Sequence, residues 1–188
     1  MAVGDGVVAV TEFAGVARDL VLGLKYRNRR RAVAFLADHL VAVVTSRPDV
    51  ITWAPTSRRR VAHRGFDQAE LLARALARRL GVPCRRLLRR RQGADRPQTG
   101  LDRHERLASP GFEGRVPAGR PRVLVVDDVV TTGATLRAAV VALRGAGAGA
   151  VQCVAVAATP PWRDHPPVGS AVAWASSIAS SAPVKARS

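Results

Sequence analysis

The sequence predicts an α/β fold with a mainly parallel sheet flanked by helices. Residues 123–126 and 151–157 are continuous apolar runs, which are typical of strands buried on both faces. Between them, residues 136–143 carry apolar side chains at helical spacing and lead to Gly145 and Gly147, which favour a helix end. A strand, a helix and a second strand in this order are typical of parallel strands joined by a crossover.

The first part of the chain predicts two helices and a short strand. Apolar residues recur at helical spacing over residues 16–25, and again over residues 33–44 after a basic break at residues 27–31. Residues 50–54 are rich in β-branched side chains and are followed by Pro55. This composition favours a strand that ends at the proline.

A third helix is predicted between Asp67 and Gly81. Asp67 and Glu70 are three residues apart at the start of an apolar run over residues 71–80, and this spacing resembles a capping box. Gly81 and Pro83 follow that run and indicate where the helix ends.

The segment that follows is rich in Arg, Gly and Pro. Residues 87–88 fit a short strand, whereas residues 89–121 have no periodicity, so we expect a long loop with one helical turn near Glu105. A long irregular loop inside a compact domain is usually either a lid over a site or a disordered linker. Both interpretations are open at this point.

Length and composition predict one domain in a soluble cytoplasmic protein. A chain of 188 residues accommodates one ordinary domain, expected over residues 1–158. A disordered tail is expected over residues 159–188, where Pro, Ser and Ala dominate. No apolar run is long enough to span a bilayer, and residues 1–11 lack a signal-peptide pattern. Cys84 and Cys153 are too isolated to indicate a disulfide framework or a zinc module.

The chain is strongly basic, with a net charge of +16 from 30 basic and 14 acidic side chains. Such a balance favours polyanionic partners, including nucleic acid and phosphorylated metabolites. However, every basic side chain except Lys25 and Lys185 is arginine, which a bias in coding composition explains equally well. The charge therefore points to phosphate without identifying the molecule.

The most specific feature lies at the end of the strand predicted over residues 123–126. Asp127 and Asp128 follow that strand directly, and a turn rich in Thr and Gly at residues 131–135 leads into the next helix. Ligands of open parallel sheets bind at the carboxyl ends of strands, and a helix N-terminus attracts anions. Gly133 permits close backbone approach, and carboxylates accept hydrogen bonds from ribose hydroxyls. These features favour a ribose 5-phosphate site over an ordinary threonine-capped turn.

Residues 123–135, with the sequence VLVVDDVVTTGAT, resemble the fingerprint of the type I phosphoribosyltransferases. Three further stretches resemble the ComF family: LKYR at residues 24–27, RGFDQAELLA at residues 64–73 and RPQTGLDRHER at residues 96–106. The resemblance covers roughly residues 12–157 and implies a type I phosphoribosyltransferase-like fold. Many ComF proteins begin with a zinc module built on cysteines, and this sequence departs from that pattern.

The resemblance implies a site for phosphoribosyl pyrophosphate and Mg²⁺, with the ion held mainly by the substrate's own oxygens. Asp127 and Asp128 are the expected catalytic residues, which would anchor the ribose hydroxyls and steady the developing charge. The basic segment before the fingerprint strand would correspond to a hood over the site. The residues expected to bind substrate are Val129, Val130, Thr131, Thr132, Gly133, Ala134 and Thr135, together with Ser57 and Arg58 in the loop after the first sheet strand.

Three hypotheses about function are compatible with these residues. The first is an enzyme that transfers phosphoribosyl to an unknown acceptor and releases pyrophosphate. The second is a non-catalytic accessory protein of competence and DNA uptake, to which ComF members are linked, that binds single-stranded DNA. The third is a regulator that binds the ligand without turnover. The expected partners are phosphoribosyl pyrophosphate, the acceptor, single-stranded DNA or competence-machinery proteins, and a second copy of the chain in a homodimer, with no membrane.

Overall fold

Six strands and three helices make up the described part of the chain. The computed structural model describes residues 7–12, 29–57, 61–62, 65–91 and 111–159. The strands are β1 (Val7–Glu12), β2 (Val50–Trp53), β3 (Leu88–Arg90), β4 (Phe112–Gly114), β5 (Arg122–Val130) and β6 (Ala150–Ala158). The helices are α1 (Arg29–Ala42), α2 (Gln68–Leu80) and α3 (Ala134–Gly145).

The main sheet contains four strands in the order β1-β6-β5-β2, and every pair in it is parallel. The interior strands β5 and β6 are nine residues each. Residues 123–126 of β5 are at most 2% exposed, as the continuous apolar run predicts for a strand covered on both faces. The predicted α/β fold with a mainly parallel sheet is therefore confirmed.

The two faces of the sheet are covered by different elements. Alternate residues of a strand point to opposite faces, so Leu124 and Val126 pack in the core formed with α1 and α2. Val123 and Val125 pack on the other side, in the core that contains α3 and the antiparallel pair β3–β4. Helix α2 carries the chain from β2 to residues 83–85, which lie along the outer edge of β2, where Cys84 forms a parallel bridge to Ile51. Strand β5 then lies on the other side of β2, and α3 carries the chain onward to β6 across the opposite face. The order of the strands therefore reverses between β2 and β5, and the carboxyl ends of these two strands form a topological switch point, where ligands of open sheets bind.

The two neighbours of β5 end at different heights. The register with β2 runs from Val50↔Val123 to Trp53↔Val126, and the N–H of Ala54 then donates to the carbonyl of Val126 at 3.1 Å. The register with β6 continues to Val130↔Ala158. Beyond Val126, β5 therefore extends past the end of β2.

Helix α2 starts and ends at the predicted residues, Asp67 and Gly81, but Glu70 makes a different contact from the one that a capping box requires. Asp67 has extended backbone angles at the N-cap, and its Oδ1 accepts a hydrogen bond from the N–H of Ala69 at 3.1 Å. Gly81 ends the helix in the left-handed conformation with φ 63°, which glycine adopts without steric cost. Glu70, the other residue of the predicted box, pairs with Arg74 one turn along the helix.

The structure differs from the sequence prediction in several elements. Strand β1 at the sheet edge was not predicted, and neither was β4, which pairs with β3 inside the stretch expected to be irregular. β5 continues four residues beyond the predicted strand end, and α3 begins two residues before its predicted start. The helix predicted over residues 16–25, the turn near Glu105 and the tail from residue 160 lie outside the described residues. Within the described ranges, no helix is both long enough and apolar enough to cross a membrane.

Candidate functional site

Asp127 and Asp128 lie in the part of β5 that extends past β2. Asp127 is in register with Ala155 of β6, and both aspartates are partly buried. The Oδ1 atom of Asp127 accepts a hydrogen bond from the N–H of Asp128 at 2.8 Å. In the same way, Oδ1 of Asp128 accepts from the N–H of Val129 at 2.9 Å. These bonds to the following N–H groups fix both carboxyl groups close to the strand at its carboxyl end.

Burial and mutual repulsion disfavour negative charge at this end of the sheet. Desolvation raises the pKa of Asp127 well above its ordinary value, and the adjacent Asp128 carboxylate raises it further. Burial also raises the pKa of Asp67, to which the Asp128 carboxylate makes a smaller contribution in the same direction. Three carboxyl groups therefore lie close enough to repel one another, and a group that donates hydrogen bonds or carries positive charge would relieve that repulsion.

The turn after β5 leads directly into α3. Gly133 is the N-cap of α3, with φ 70°, a conformation that favours glycine. Because glycine has no side chain, it offers no acceptor to the N–H groups of the first helical turn. The hydroxyl of Thr132 accepts from the N–H of Ala134 at 3.4 Å, and Thr131 and Thr132 are exposed, whereas Thr135 is half-buried. The turn thus presents hydroxyl groups and a helix N-terminus beside the two aspartates, an arrangement that suits an anion.

The two valines between the aspartates and the turn have structural side chains. Val130 is 2% exposed in the α3 core, and Val129 packs against the core on the opposite face. The carbonyl of Val130 accepts from the N–H of Thr159 at 2.9 Å. Val129 and Val130 therefore anchor the end of the strand, and a ligand would meet their main chain rather than their side chains.

The loop after β2 lies at the same edge of the sheet. The N–H of Thr56 donates to Oδ2 of Asp67 at 3.0 Å, which places the loop start beside the N-terminus of α2. Ser57 is half-buried, and its carbonyl accepts from the N–H of Val61 at 3.1 Å. Arg58, which the resemblance assigns to pyrophosphate binding, lies outside the described residues.

Asp67 is the residue of this site that sequence reasoning missed. The capping pattern places Asp67 at a helix N-terminus and the resemblance includes it in the stretch 64–73, but neither predicts that it belongs to the site. In the structure its carboxyl group accepts a hydrogen bond from the N–H of Thr56 and lies near Asp127 and Asp128. The signal that identifies it is topological. A helix that follows a parallel strand starts at the carboxyl edge of the sheet, so its N-cap lies beside the ends of the neighbouring strands.

The described residues contain no group of three or more His, Cys, Asp and Glu side chains arranged to hold a metal ion. The carboxyl groups at the end of β5 could still supply one or two oxygen ligands to a hydrated cation. Mg²⁺ commonly binds in this manner, through one or two carboxylates, water and substrate phosphates. The donor set therefore fits a Mg²⁺ ion that arrives with a phosphorylated substrate.

Comparison with known proteins identifies the family. The model of the phosphoribosyl transferase domain matches residues 67–172, which is more than half of the chain. A protein from Salmonella typhi named DNA utilization protein YhgH is 32% identical over 155 residues, covering 77% of this chain and 68% of its own length. The protein of the same name from Escherichia coli (strain K12) is 30% identical over 155 residues, with the same coverage.

A solved structure shares the fold. The glutamine phosphoribosylpyrophosphate amidotransferase from B. subtilis, complexed with ADP and GMP, superposes with a TM-score of 0.51 at 22% sequence identity. The match covers 72% of this chain and 30% of the amidotransferase chain. This likeness shows that the two chains share an α/β fold with a mainly parallel sheet flanked by helices. The family model and the relatives together show that the chain belongs to the phosphoribosyl transferase domain family, as a ComF-like member of the type I class.

Proposed function

We propose that the chain binds phosphoribosyl pyrophosphate at the carboxyl end of β5 and transfers its phosphoribosyl group to an acceptor. One observation carries the proposal: Asp127 and Asp128 lie beside the glycine-capped N-terminus of α3, at the switch point of the sheet. Groups that can bind hydroxyls therefore lie next to groups that can bind an anion. A ribose 5-phosphate needs both, because its hydroxyls and its phosphate belong to one small molecule.

The charges of the site residues indicate which part of phosphoribosyl pyrophosphate each of them binds. The carboxyl groups of Asp127 and Asp128 would repel a phosphate, so they face the ribose hydroxyls, which donate hydrogen bonds. The 5-phosphate lies over residues 131–135, where the helix N-terminus and threonine hydroxyls donate. The pyrophosphate lies toward the loop after β2, which contains Ser57 and Arg58.

Asp127 and Asp128 would hold a Mg²⁺ ion that arrives with the substrate, directly or through water. When bound, such an ion would neutralise part of the charge on the pyrophosphate. Positive charge beside Asp127 would also favour its charged form, whose pKa desolvation and repulsion by Asp128 raise in the free protein.

Transfer requires positioning rather than a covalent intermediate on the protein. The bond between the ribose C1 and the pyrophosphate oxygen breaks, and the electron pair leaves with the pyrophosphate. A nucleophile of the acceptor then bonds to C1 from the opposite face and releases its proton to water. Asp127 and Asp128 hold the hydroxyls of the ribose and stabilise the positive charge that develops on the ring. Residues 131–135 fix the 5-phosphate, so that C1 stays aligned between the two partners.

The test of this function is a pyrophosphate-release screen with phosphoribosyl pyrophosphate, Mg²⁺ and a panel of purine, pyrimidine and amine acceptors. We expect pyrophosphate to be released only when phosphoribosyl pyrophosphate and an acceptor of one class are both present. Tight binding without release for any acceptor would contradict transfer and favour a regulator. Absence of binding would contradict the proposal as a whole.

A second candidate function is suggested by the relatives and by the charge. The curated relatives are named DNA utilization proteins, and the net charge of this chain is +16. An accessory protein that binds single-stranded DNA through arginine would show affinity that falls steeply as salt rises, because binding releases counterions. Fluorescence anisotropy with a labelled oligonucleotide across a salt series tests this directly. Absence of binding at low salt would remove the candidate.

A further inference from the structure

We propose that Asp67 is a positioning residue, which holds the start of the loop after β2, residues 56–57, at the N-terminus of α2 and so places Ser57 for pyrophosphate binding. This role rests on the proposed function, because it concerns the half of the site assigned to pyrophosphate. It also assigns a role to Asp67 of the RGFDQ stretch at residues 64–68, to which the proposed function assigns none.

The carboxyl group of Asp67 joins two segments of the chain. Oδ2 accepts from the N–H of Thr56 at 3.0 Å, across eleven residues of sequence. Oδ1 accepts from the N–H of Ala69 at 3.1 Å, and the N–H of Glu70 contributes as well. One oxygen thus serves the loop and the other serves the helix.

Backbone hydrogen bonds join several described residues of the loop between β2 and Asp67. The N–H of Ala54 donates to the carbonyl of Val126 on β5, which attaches the loop start to the central strand. Further along, the N–H of Val61 donates to the carbonyl of Ser57 at 3.1 Å, and the N–H of Gly65 donates to the carbonyl of Val61 at 2.7 Å. Gly65 has φ 77°, which allows the chain to reverse just before Asp67. Asp67 is therefore the residue that joins the start of this loop, at Thr56, to the start of α2.

A helix cap alone does not explain an aspartate at this position. Serine and asparagine cap helices about as well as aspartate does. The carboxyl group is partly buried and lies near Asp128, and both circumstances raise its pKa and so oppose its charged form. What a carboxylate offers and serine cannot is a second acceptor oxygen, with charge-assisted bonds about twice as strong as neutral ones. The second oxygen is the one that Thr56 uses.

This geometry predicts that loss of the hydrogen bond between Thr56 and Asp67 weakens binding of the pyrophosphate group alone. The 5-phosphate and ribose depend on residues 127–135, to which Asp67 makes no hydrogen bond described above. Its carboxylate only adds repulsion to Asp127 and Asp128, so losing it does not weaken that half. Pyrophosphate depends on the loop that begins at Thr56. A general loss of stability would weaken both halves, whereas loss of this hydrogen bond would weaken only the pyrophosphate half.

The experiment compares the full chain with its Asp67→Ser and Asp67→Asn variants. Serine keeps the cap but is too short to reach Thr56, and asparagine keeps a single acceptor oxygen. The control is Asp49→Asn, which removes an acid at the opposite end of the sheet, where Asp49 pairs with Arg122. That position is about 20 Å along β5 from Asp128, for six residues at the usual rise of a strand.

Each protein is titrated separately with ribose 5-phosphate, with magnesium pyrophosphate and with phosphoribosyl pyrophosphate plus Mg²⁺. We expect Asp67→Ser to bind the two pyrophosphate-containing ligands about tenfold more weakly, as loss of a charged hydrogen bond implies. Its affinity for ribose 5-phosphate should be at least about half that of the wild type, because the substitution removes repulsion from Asp127 and Asp128 and no hydrogen bond to residues 127–135. The control should match the wild type for every ligand.

Two outcomes would overturn the inference while leaving the proposed function intact. One is an Asp67→Ser variant that binds phosphoribosyl pyrophosphate as tightly as the wild type does. The other is a variant whose affinity for all three ligands falls by the same factor. If the wild type itself binds no ligand, the proposed function fails first. Should Asp67→Ser not fold, the wild type still gives a test by nuclear magnetic resonance. The amide proton of Thr56 should then shift with the titration of Asp67, and an amide that does not respond would contradict the contact.

Discussion

Asp127 is in register with Ala155 on β6, one position beyond Val126, the last residue of β5 paired with β2. This offset places the Asp127 carboxyl group on a part of β5 that is paired with β6 on one side and no longer with β2 on the other. Pairing with β6 fixes the backbone of Asp127. The adjacent position of Asp128 brings the two carboxyl groups close enough to repel each other.

The first prediction concerns the stability of the free protein. The raised pKa of Asp127 means that the fold favours its neutral form, so the stability this group contributes at low pH is lost as pH rises through that pKa. Asp127→Asn should therefore stabilise the free protein at neutral pH by about 0.5–2 kcal/mol, the usual range for stabilising substitutions. The gain should shrink at acidic pH, where the wild-type carboxyl group is protonated. Thermal unfolding across a pH series measures it, and a variant less stable than wild type at neutral pH would contradict the assignment.

The second prediction concerns the turn into α3. Gly133→Ala forces a side chain into a left-handed conformation, which costs about 1–2 kcal/mol. It should also weaken ribose 5-phosphate binding, because the backbone near the phosphate must shift. Gly145→Ala is the matched control in the same helix, where an added Cβ meets open space. Calorimetric titration and thermal unfolding of both variants should show loss for Gly133→Ala only, and equal effects would argue against a special role for the turn.

The third prediction concerns the arginine-rich segment. If residues 89–109 form a lid, phosphoribosyl pyrophosphate and Mg²⁺ should protect its amides from hydrogen exchange. The amides of residues 123–126 in β5 should exchange equally slowly with and without ligand and serve as the internal reference. Exchange in residues 89–109 that is unchanged by ligand would instead identify a linker.

The elements predicted correctly from sequence are those whose own residue pattern indicates the structure, without knowledge of the neighbouring strands. Residues 123–126 are apolar without interruption because both faces of β5 are covered, and the strand could be recognised for that reason. β4 is three residues long, too short for any periodicity to emerge, and it forms only by pairing with β3. The extension of β5 through Val130 likewise depends on β6 and not on its own residue types.

The candidate site was predicted in part for the same reason. Asp127, Asp128 and the turn at residues 131–135 are contiguous, so their order along the chain already describes a strand end and a helix start. The contact between Asp67 and Thr56 joins segments eleven residues apart, and residue spacing contains no record of it. Predicting that contact required knowing which helix starts beside which strand.

The central claim is that Asp127 and Asp128 hold the ribose of phosphoribosyl pyrophosphate. The most direct measurement is a calorimetric titration of this ligand with Mg²⁺ into the wild type and into the double variant Asp127→Asn/Asp128→Asn. Asparagine keeps the shape of both side chains but removes their charge, and charge-assisted hydrogen bonds are about twice as strong as neutral ones. We expect a folded variant that binds at least about tenfold more weakly, equivalent to about 1.4 kcal/mol. Equal affinity of the two proteins would contradict the claim.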